Sequence, residues 1–166
     1  DLERFQPREK DAVLCSRTVG IDADTFVFLT VAALRWEKGV YEILEAFKHL
    51  TLELPDRKLR LVFAGSGPEK RRLRELAERI GLQDQVVFTR FPYEDMHKVY
   101  NLADVFILNS APRRGWLEQF GYVLAEALAS GLPIITTQSG SIPEVVGDAA
   151  VLVPPSDFLA LSGAMK

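Results

Sequence analysis

Cysteine and histidine are scarce: one cysteine and two histidines occur in 166 residues. A lone Cys15 cannot close an intrachain disulfide, so packing has to hold the fold, and a reducing, cytoplasmic setting is expected. His49 and His97 leave little material for a zinc site; neither is expected to have an acidic partner at metal spacing, and no metal is implied. An excess of positive charge is missing too. Lys and Arg number 20 against 23 Asp and Glu, a formal charge of −3, so no global positive field exists to hold phosphates and nucleic acid is disfavoured as a partner. Long hydrophobic runs are absent: the longest apolar stretch, Phe26 to Leu34, is nine residues, against roughly 20 needed to span a bilayer. The charged N-terminus is unlike a secretory signal. Neither a transmembrane segment nor a leader is expected, which leaves peripheral membrane contact to a further domain.

What is present is the composition of a folded globular chain, 48% hydrophobic and 26% charged, without repeats or low-complexity tracts. At about 150 residues per domain the length suits one domain and not two complete ones. Short β-branched runs alternate with longer helical patterns, the signature of a parallel sheet with helical crossovers. Six strands are expected, at 26–33, 59–64, 86–89, 104–108, 133–137 and 150–153, most of them apolar enough to be buried on both faces. Helical patterns run over 40–54, 68–80, 94–102, 119–130 and 141–146, and a last one starts near Asp157. Gly81, Gly131 and Gly147 each follow a helical stretch where a left-handed cap is needed, and Pro68 suits a first helical turn. The helical stretch Lys70 to Arg79 alternates charge at helical spacing and reads as a solvated outer face.

Asp1 to Pro7 is polar and without period, and the last helix has no stop signal. Residues 1–25 are therefore read as an interdomain linker and 26–166 as a Rossmann-like domain cut in its C-terminal helix, part of a longer protein. Six β–α units in the simplest doubly wound order, 3-2-1-4-5-6, place a ligand crevice beyond the carboxyl ends of strands one and four. The loops there, Leu34 to Gly39 and Asn109 to Gly121, are dense in Arg, Lys, Glu, Trp and Gly. Trp36 and Trp116 flank the crevice, where they are either stacking platforms or plain loop anchors.

The second loop leads into a helix carrying Glu118 and Glu126. If both were helical, eight residues would separate them by about 12 Å, enough to meet two hydroxyl-rich rings of one ligand. Glu126 sits in a nearly all-apolar stretch and requires partners there, backbone amides of a neighbouring loop being the plainer alternative to a ligand. Phe120 and Gly121 stand at the expected helix N-terminus, where free N–H groups favour phosphate, although a simple turn would use Gly121 as well.

Together with Glu37-Lys-Gly39, Gly65-Ser-Gly-Pro68, Gly131-Leu-Pro133 and Ser139-Gly-Ser-Ile-Pro-Glu144, the pieces Glu118-Gln-Phe-Gly121 and Glu126-Ala127 resemble the C-terminal, donor-binding domain of a GT-B retaining glycosyltransferase of the group 1 (family 4) type. That family includes polysaccharide and glycolipid mannosyl- and glucosyltransferases. The resemblance covers nearly the whole chain. It implies that a nucleotide diphosphate sugar is the donor substrate, with no cofactor, and that an N-terminal acceptor domain belongs to the complete protein. It implies further that Glu118 meets the transferred sugar, Glu126 the ribose, and Lys38 with the amides around Phe120 and Gly121 the diphosphate. Gly39, Gly65 and Gly67 are donor-binding residues by the same resemblance, as is Arg35, and Arg90 and Phe91 lie by the base. Gly65 and Gly67 serve a strand-to-helix turn equally well.

This chain departs from the family pattern in two places. The arginine that commonly precedes the lysine loop is replaced by Ala33, leaving Arg35, Arg113 or Arg114 as substitutes, and Arg90 stands where a glycine is usual. The expected function is transfer of a sugar with retention of configuration, by the whole protein and not by this segment alone. The alternatives are a non-catalytic nucleotide-sugar-binding module and a GT-B sugar-nucleotide epimerase.

Overall fold

The computed structural model describes residues 3–11, 19–22, 24–113 and 115–166, so Cys15 and Arg114 lie outside the described residues. β1 (Phe26–Val31), β2 (Leu59–Ala64), β3 (Val86–Thr89), β4 (Val105–Leu108), β5 (Ile134–Thr137) and β6 (Val151–Val153) form one sheet. Its order is β3-β2-β1-β4-β5-β6, and every pairing is parallel. Phe28 of β1 stands opposite Leu61 on one side and Val105 on the other. The helices are α1 (Val40–Glu53), α2 (Lys70–Arg79), α3 (Met96–Tyr100), α4 (Tyr122–Ala129), α5 (Ile142–Val146) and α6 (Phe158–Ala164).

The apolar runs follow from a sheet covered on both faces. Because successive strand residues point oppositely, Val27 and Leu29 join Phe106 and Leu108 in a cluster with Val99, Tyr100, Leu124, Ala127 and Ile142. Phe28 joins Phe63 and Ile107 in the other cluster, against Ile43, Phe47, Leu73 and Leu161. Thus α3, α4 and α5 cover one face, and α1, α2 and α6 the other. α1 shows why the pattern reads as helix: Val40, Ile43, Leu44, Phe47 and Leu50 recur on one stripe and all are buried.

Several boundaries differ from the sequence reading. β1 stops at Val31, two residues early, because the chain turns there and the amide of Leu34 donates to the carbonyl of Ser66 at 2.9 Å. α4 begins at Tyr122 and not at Gln119, since Gly121 takes φ +68°, outside the right-handed helical region, and serves as the N-cap. The expected cap glycines Gly81, Gly131 and Gly147 all have positive φ. On α2 only Leu73 and Ala77 are buried, and its charged residues form an outer face with Arg71 2.9 Å from Glu75. His49 does have an acidic neighbour: Glu53, one turn on, lies 3.6 Å away, a spacing the sequence reading passed over. Ahead of β1, Phe5, Val19 and Ile21 are buried in the α3/α4 cluster, and Asn101 accepts from the amide of Arg8 and donates to the carbonyl of Gln6.

Candidate functional site

In this strand order the chain winds outward in opposite directions from β1 and β4, so the loops after these neighbours diverge and leave a crevice at their carboxyl ends. The two loops interlock. Gly39 has φ +60°, and a Cβ there would stand 2.0 Å from the carbonyl oxygen of Asn109, so only glycine lets the loops cross this closely. Ala111 donates its amide to the carbonyl of Glu37 at 3.0 Å. These contacts bring Lys38 to Glu118: Nζ lies 2.5 Å from Oε2, with the side chains 20% and 11% exposed. Ser110 donates its hydroxyl to the same oxygen at 2.8 Å, and Lys38 Nζ sits 4.9 Å from the centre of the Trp116 ring.

Glu118 is not helical, contrary to the reading that gave a 12 Å rise to Glu126 along one helix. It lies four residues ahead of Tyr122, in the loop, and the segment after β5 holds it there. The amide of Ser141 donates to the carbonyl of Glu118 at 3.2 Å, and the hydroxyl of Ser141 binds the carbonyl of Gln119. Gly140, at φ +56°, passes so close that a Cβ would fall 2.2 Å from the Glu118 carbonyl oxygen. The motif Ser139 to Glu144 thus has a local task, bracing the loop that carries Glu118. The amides of Phe120, Gly121 and Tyr122 donate to no backbone carbonyl among the described residues, and the aligned peptide dipoles of α4 begin beside them.

Two grooves open at this edge. One, of about 680 Å³, is lined by Arg113, Trp116, Glu118, Gln119, Gly140 and Ser141. The other, of about 380 Å³, runs past Ala33, Gly65, Arg90, Phe91 and Val123. Gly65 and Gly67 let the β2 loop close on the β1 loop: a Cβ on either would fall within 2.3 Å of a carbonyl oxygen, of Ala32 or Leu34. Glu126 lies one turn beyond Val123 on α4. Its Oε2 accepts from the Tyr100 hydroxyl at 2.7 Å and its Oε1 from the Tyr93 hydroxyl at 3.4 Å. Among the described residues its side-chain partners are thus two phenols, where the sequence had left backbone amides or a ligand as alternatives. Burial, and secondarily the Glu126 charge, push the Tyr100 hydroxyl far above its usual range, so it stays a donor.

The other candidates are placed as follows. Arg35 is exposed and bound to Glu37 at 2.6 Å, and Arg113 lies 3.8 Å from Glu42. Trp36 stacks on Tyr41 at 4.4 Å and does not join the Lys38 cluster, whereas Trp116 does. Tyr41 in turn donates to Glu69 at 2.5 Å, and burial followed by that contact pushes its hydroxyl up to about 12. Among the described residues no group of three or more His, Cys, Asp or Glu side chains could hold a metal, and no helix is long and apolar enough to cross a membrane. Sequence reasoning missed Ser110, Tyr100 and the bracing role of Gly140 and Ser141. For Tyr100 a signal existed, because a phenol on the apolar face of a helix needs a hydrogen-bond partner.

The profile of the family described as glycosyl transferases group 1 matches residues 16–166. The chain belongs to this family. A relative, the D-inositol 3-phosphate glycosyltransferase of Corynebacterium urealyticum, is 33% identical over 99% of this chain and 40% of its own length. The chain thus spans about two fifths of that relative. The C-terminal domain of a group 1 protein from Francisella tularensis has the same fold, with a TM-score of 0.80 at 23% identity over 99% of this chain and 85% of that one. Anabaena HepE, solved in complex with UDP-glucose, superposes with a TM-score of 0.82 at 22% identity, covering 98% of this chain and 44% of its own. The six-stranded Rossmann-like sheet is therefore the fold of that C-terminal domain and of the matched part of HepE.

Proposed function

We propose that this chain is the donor-binding domain of a retaining glycosyltransferase, which moves a sugar from a nucleotide diphosphate sugar to an acceptor held by a separate N-terminal domain. The observation that carries the reading is the Lys38–Glu118 pair at 2.5 Å, set beside the amides of Phe120, Gly121 and Tyr122, which donate to no backbone carbonyl among the described residues, with Glu118 lining the larger of the two grooves. Departure of a nucleoside diphosphate builds negative charge on its distal phosphate. A lysine ammonium and a helix N-terminus, already oriented and partly withdrawn from water, stabilise that charge without rearrangement. The ammonium and the amides would act electrostatically, as a divalent ion does in other enzymes. Glu118, an acceptor held by Ser110, suits the hydroxyls of the transferred sugar. Glu126 suits the ribose, and the groove at Arg90 and Phe91 the base. The UDP-glucose complex of HepE supports a nucleotide sugar as donor.

A non-catalytic binding module is the second reading, favoured by one observation: Ala33 lines the smaller groove where the family commonly has an arginine. A thermal-shift panel of UDP, GDP and ADP with their sugars tests the donor site, because a ligand of the folded state raises stability by RT ln(1 + [L]/Kd). Stabilisation by one nucleotide family is expected, and no shift across the panel refutes the site. Transfer on adding the acceptor domain separates the enzyme from the module.

A further inference from the structure

The two carboxylates of the site are held in opposite ways. Glu118 is paired with a cation. Glu126 has only the neutral hydroxyls of Tyr100 and Tyr93 as side-chain partners among the described residues. Neutral donors fix the carboxylate without quenching its charge. They also leave acceptor capacity, since an ionised carboxylate offers about four lone-pair sites and the phenols take one on each oxygen. The bond at Oε2 is short, whereas the one at Oε1 is long and readily exchanged. Two adjacent acceptors remain, an arrangement that suits two neighbouring hydroxyls on one ring.

Tyr100 is itself immobilised. It is buried in the core, with Phe5 against it edge-on at 5.7 Å and 80°, and Phe106 at 5.6 Å. Phe5 is 2% exposed and also meets the ring of Tyr93 at 6.3 Å. A backbone acceptor, the carbonyl of Val123, lies 3.4 Å from the Tyr100 hydroxyl, yet the much shorter bond runs to Glu126. Satisfying the buried phenol does not by itself require that choice. Nor does chain proximity, since Phe5, Tyr100 and Glu126 come from three separate segments of the sequence.

Resting on the donor-site reading above, we infer that Tyr100 is a positioning residue for ribose recognition: it fixes the Glu126 carboxylate so that its free lone pairs meet the 2′ and 3′ hydroxyls, and Phe5 clamps the tyrosine ring. The segment ahead of β1 thereby contributes to ligand selectivity without touching the ligand.

The test compares Kd by calorimetry for UDP, GDP or ADP, whichever the wild type binds most tightly, with that for its 2′,3′-dideoxy counterpart. The ratio of the dideoxy Kd to the ribonucleotide Kd is the readout, taken alongside Tm. Tyr100→Phe removes one hydrogen bond to Glu126, so the preference for the ribose form should fall roughly 3- to 10-fold, the size of one net hydrogen bond. The dideoxy Kd should stay unchanged. Phe5→Leu should lower the ratio in the same direction, and Glu126→Gln should lower it most. A merely structural tyrosine would reduce Tm and leave the ratio intact. If Glu126→Gln lowers the ratio but Tyr100→Phe does not, positioning by Tyr100 is overturned while the donor site stands. Should Tyr100→Phe fail to fold, an unchanged ratio in Phe5→Leu overturns the inference. An unchanged ratio in Glu126→Gln removes the ribose role itself, and this inference with it.

Discussion

Replacing Lys38 by alanine removes one ammonium that lies 2.5 Å from Glu118 and 4.9 Å from the Trp116 ring and is only 20% exposed. In a site this sheltered, a hydrogen bond to a charged group contributes about 1.5 to 3 kcal/mol. At 1.4 kcal/mol per factor of ten, that corresponds to about a 12- to 140-fold weaker Kd for the nucleoside diphosphate. The nucleoside, which carries no phosphate, should bind unchanged. The ion pair adds a second expectation. Without Lys38 the Glu118 carboxylate keeps, among the described residues, the Ser110 hydroxyl as its side-chain partner, and its charge then faces the phosphates. Adding Glu118→Ala to Lys38→Ala should therefore restore part of the lost diphosphate affinity, while Glu118→Ala alone weakens the nucleotide sugar more than the bare diphosphate. Isothermal titration of the four proteins with nucleoside, diphosphate and nucleotide sugar decides the matter. Equal losses for nucleoside and diphosphate in Lys38→Ala would refute the reasoning.

Gly140→Ala places a Cβ 2.2 Å from the Glu118 carbonyl at a left-handed φ; it should cost at least the roughly 1–2 kcal/mol of that backbone conformation in urea unfolding and weaken nucleotide-sugar binding. Phe47→Ala opens the core beneath β1, where Phe47 meets Phe28 at 6.1 Å, and a loss of about 3–5 kcal/mol is expected by the same assay. Tyr41 titrates at about 12 in the folded chain against about 10 unfolded. Its protonated form thus stabilises the fold fully below the unfolded value, and the benefit fades as pH rises towards the folded one. The melting temperature should accordingly fall less across that window in Tyr41→Phe than in the wild type. Sugar transfer by the chain alone should be undetectable in a radiolabelled-donor assay, because attack geometry and exclusion of water require the acceptor side too; substantial transfer would contradict the two-domain reading.

The strand order and the place of the crevice were legible because both follow from local periodicity and from the handedness of crossovers. Lys38, Glu118 and Gly121 were legible as a group because the two loops that carry them are chemically dense. Their contacts were not. Lys38 and Glu118 are 80 positions apart, and the distance between them depends on Gly39 crossing Asn109, a tertiary event with no local signature. The helical spacing of Glu118 and Glu126 misled for a definite reason: Gly121 was taken as part of the helix, but its positive φ makes it the boundary. Glu126 was rightly expected to need partners. That they are phenols followed from α3 and the turn Tyr93–Asp95 ahead of it meeting α4, which amphipathic patterns do not specify.

The most direct measurement of the central claim is a crystal structure of this chain with a bound nucleoside diphosphate. The account predicts the distal phosphate at Lys38 Nζ and the amides of Phe120 and Gly121, the ribose hydroxyls on Glu126, and the base in the groove at Arg90 and Phe91. A nucleotide bound elsewhere, or none at concentrations that saturate a relative, would contradict it.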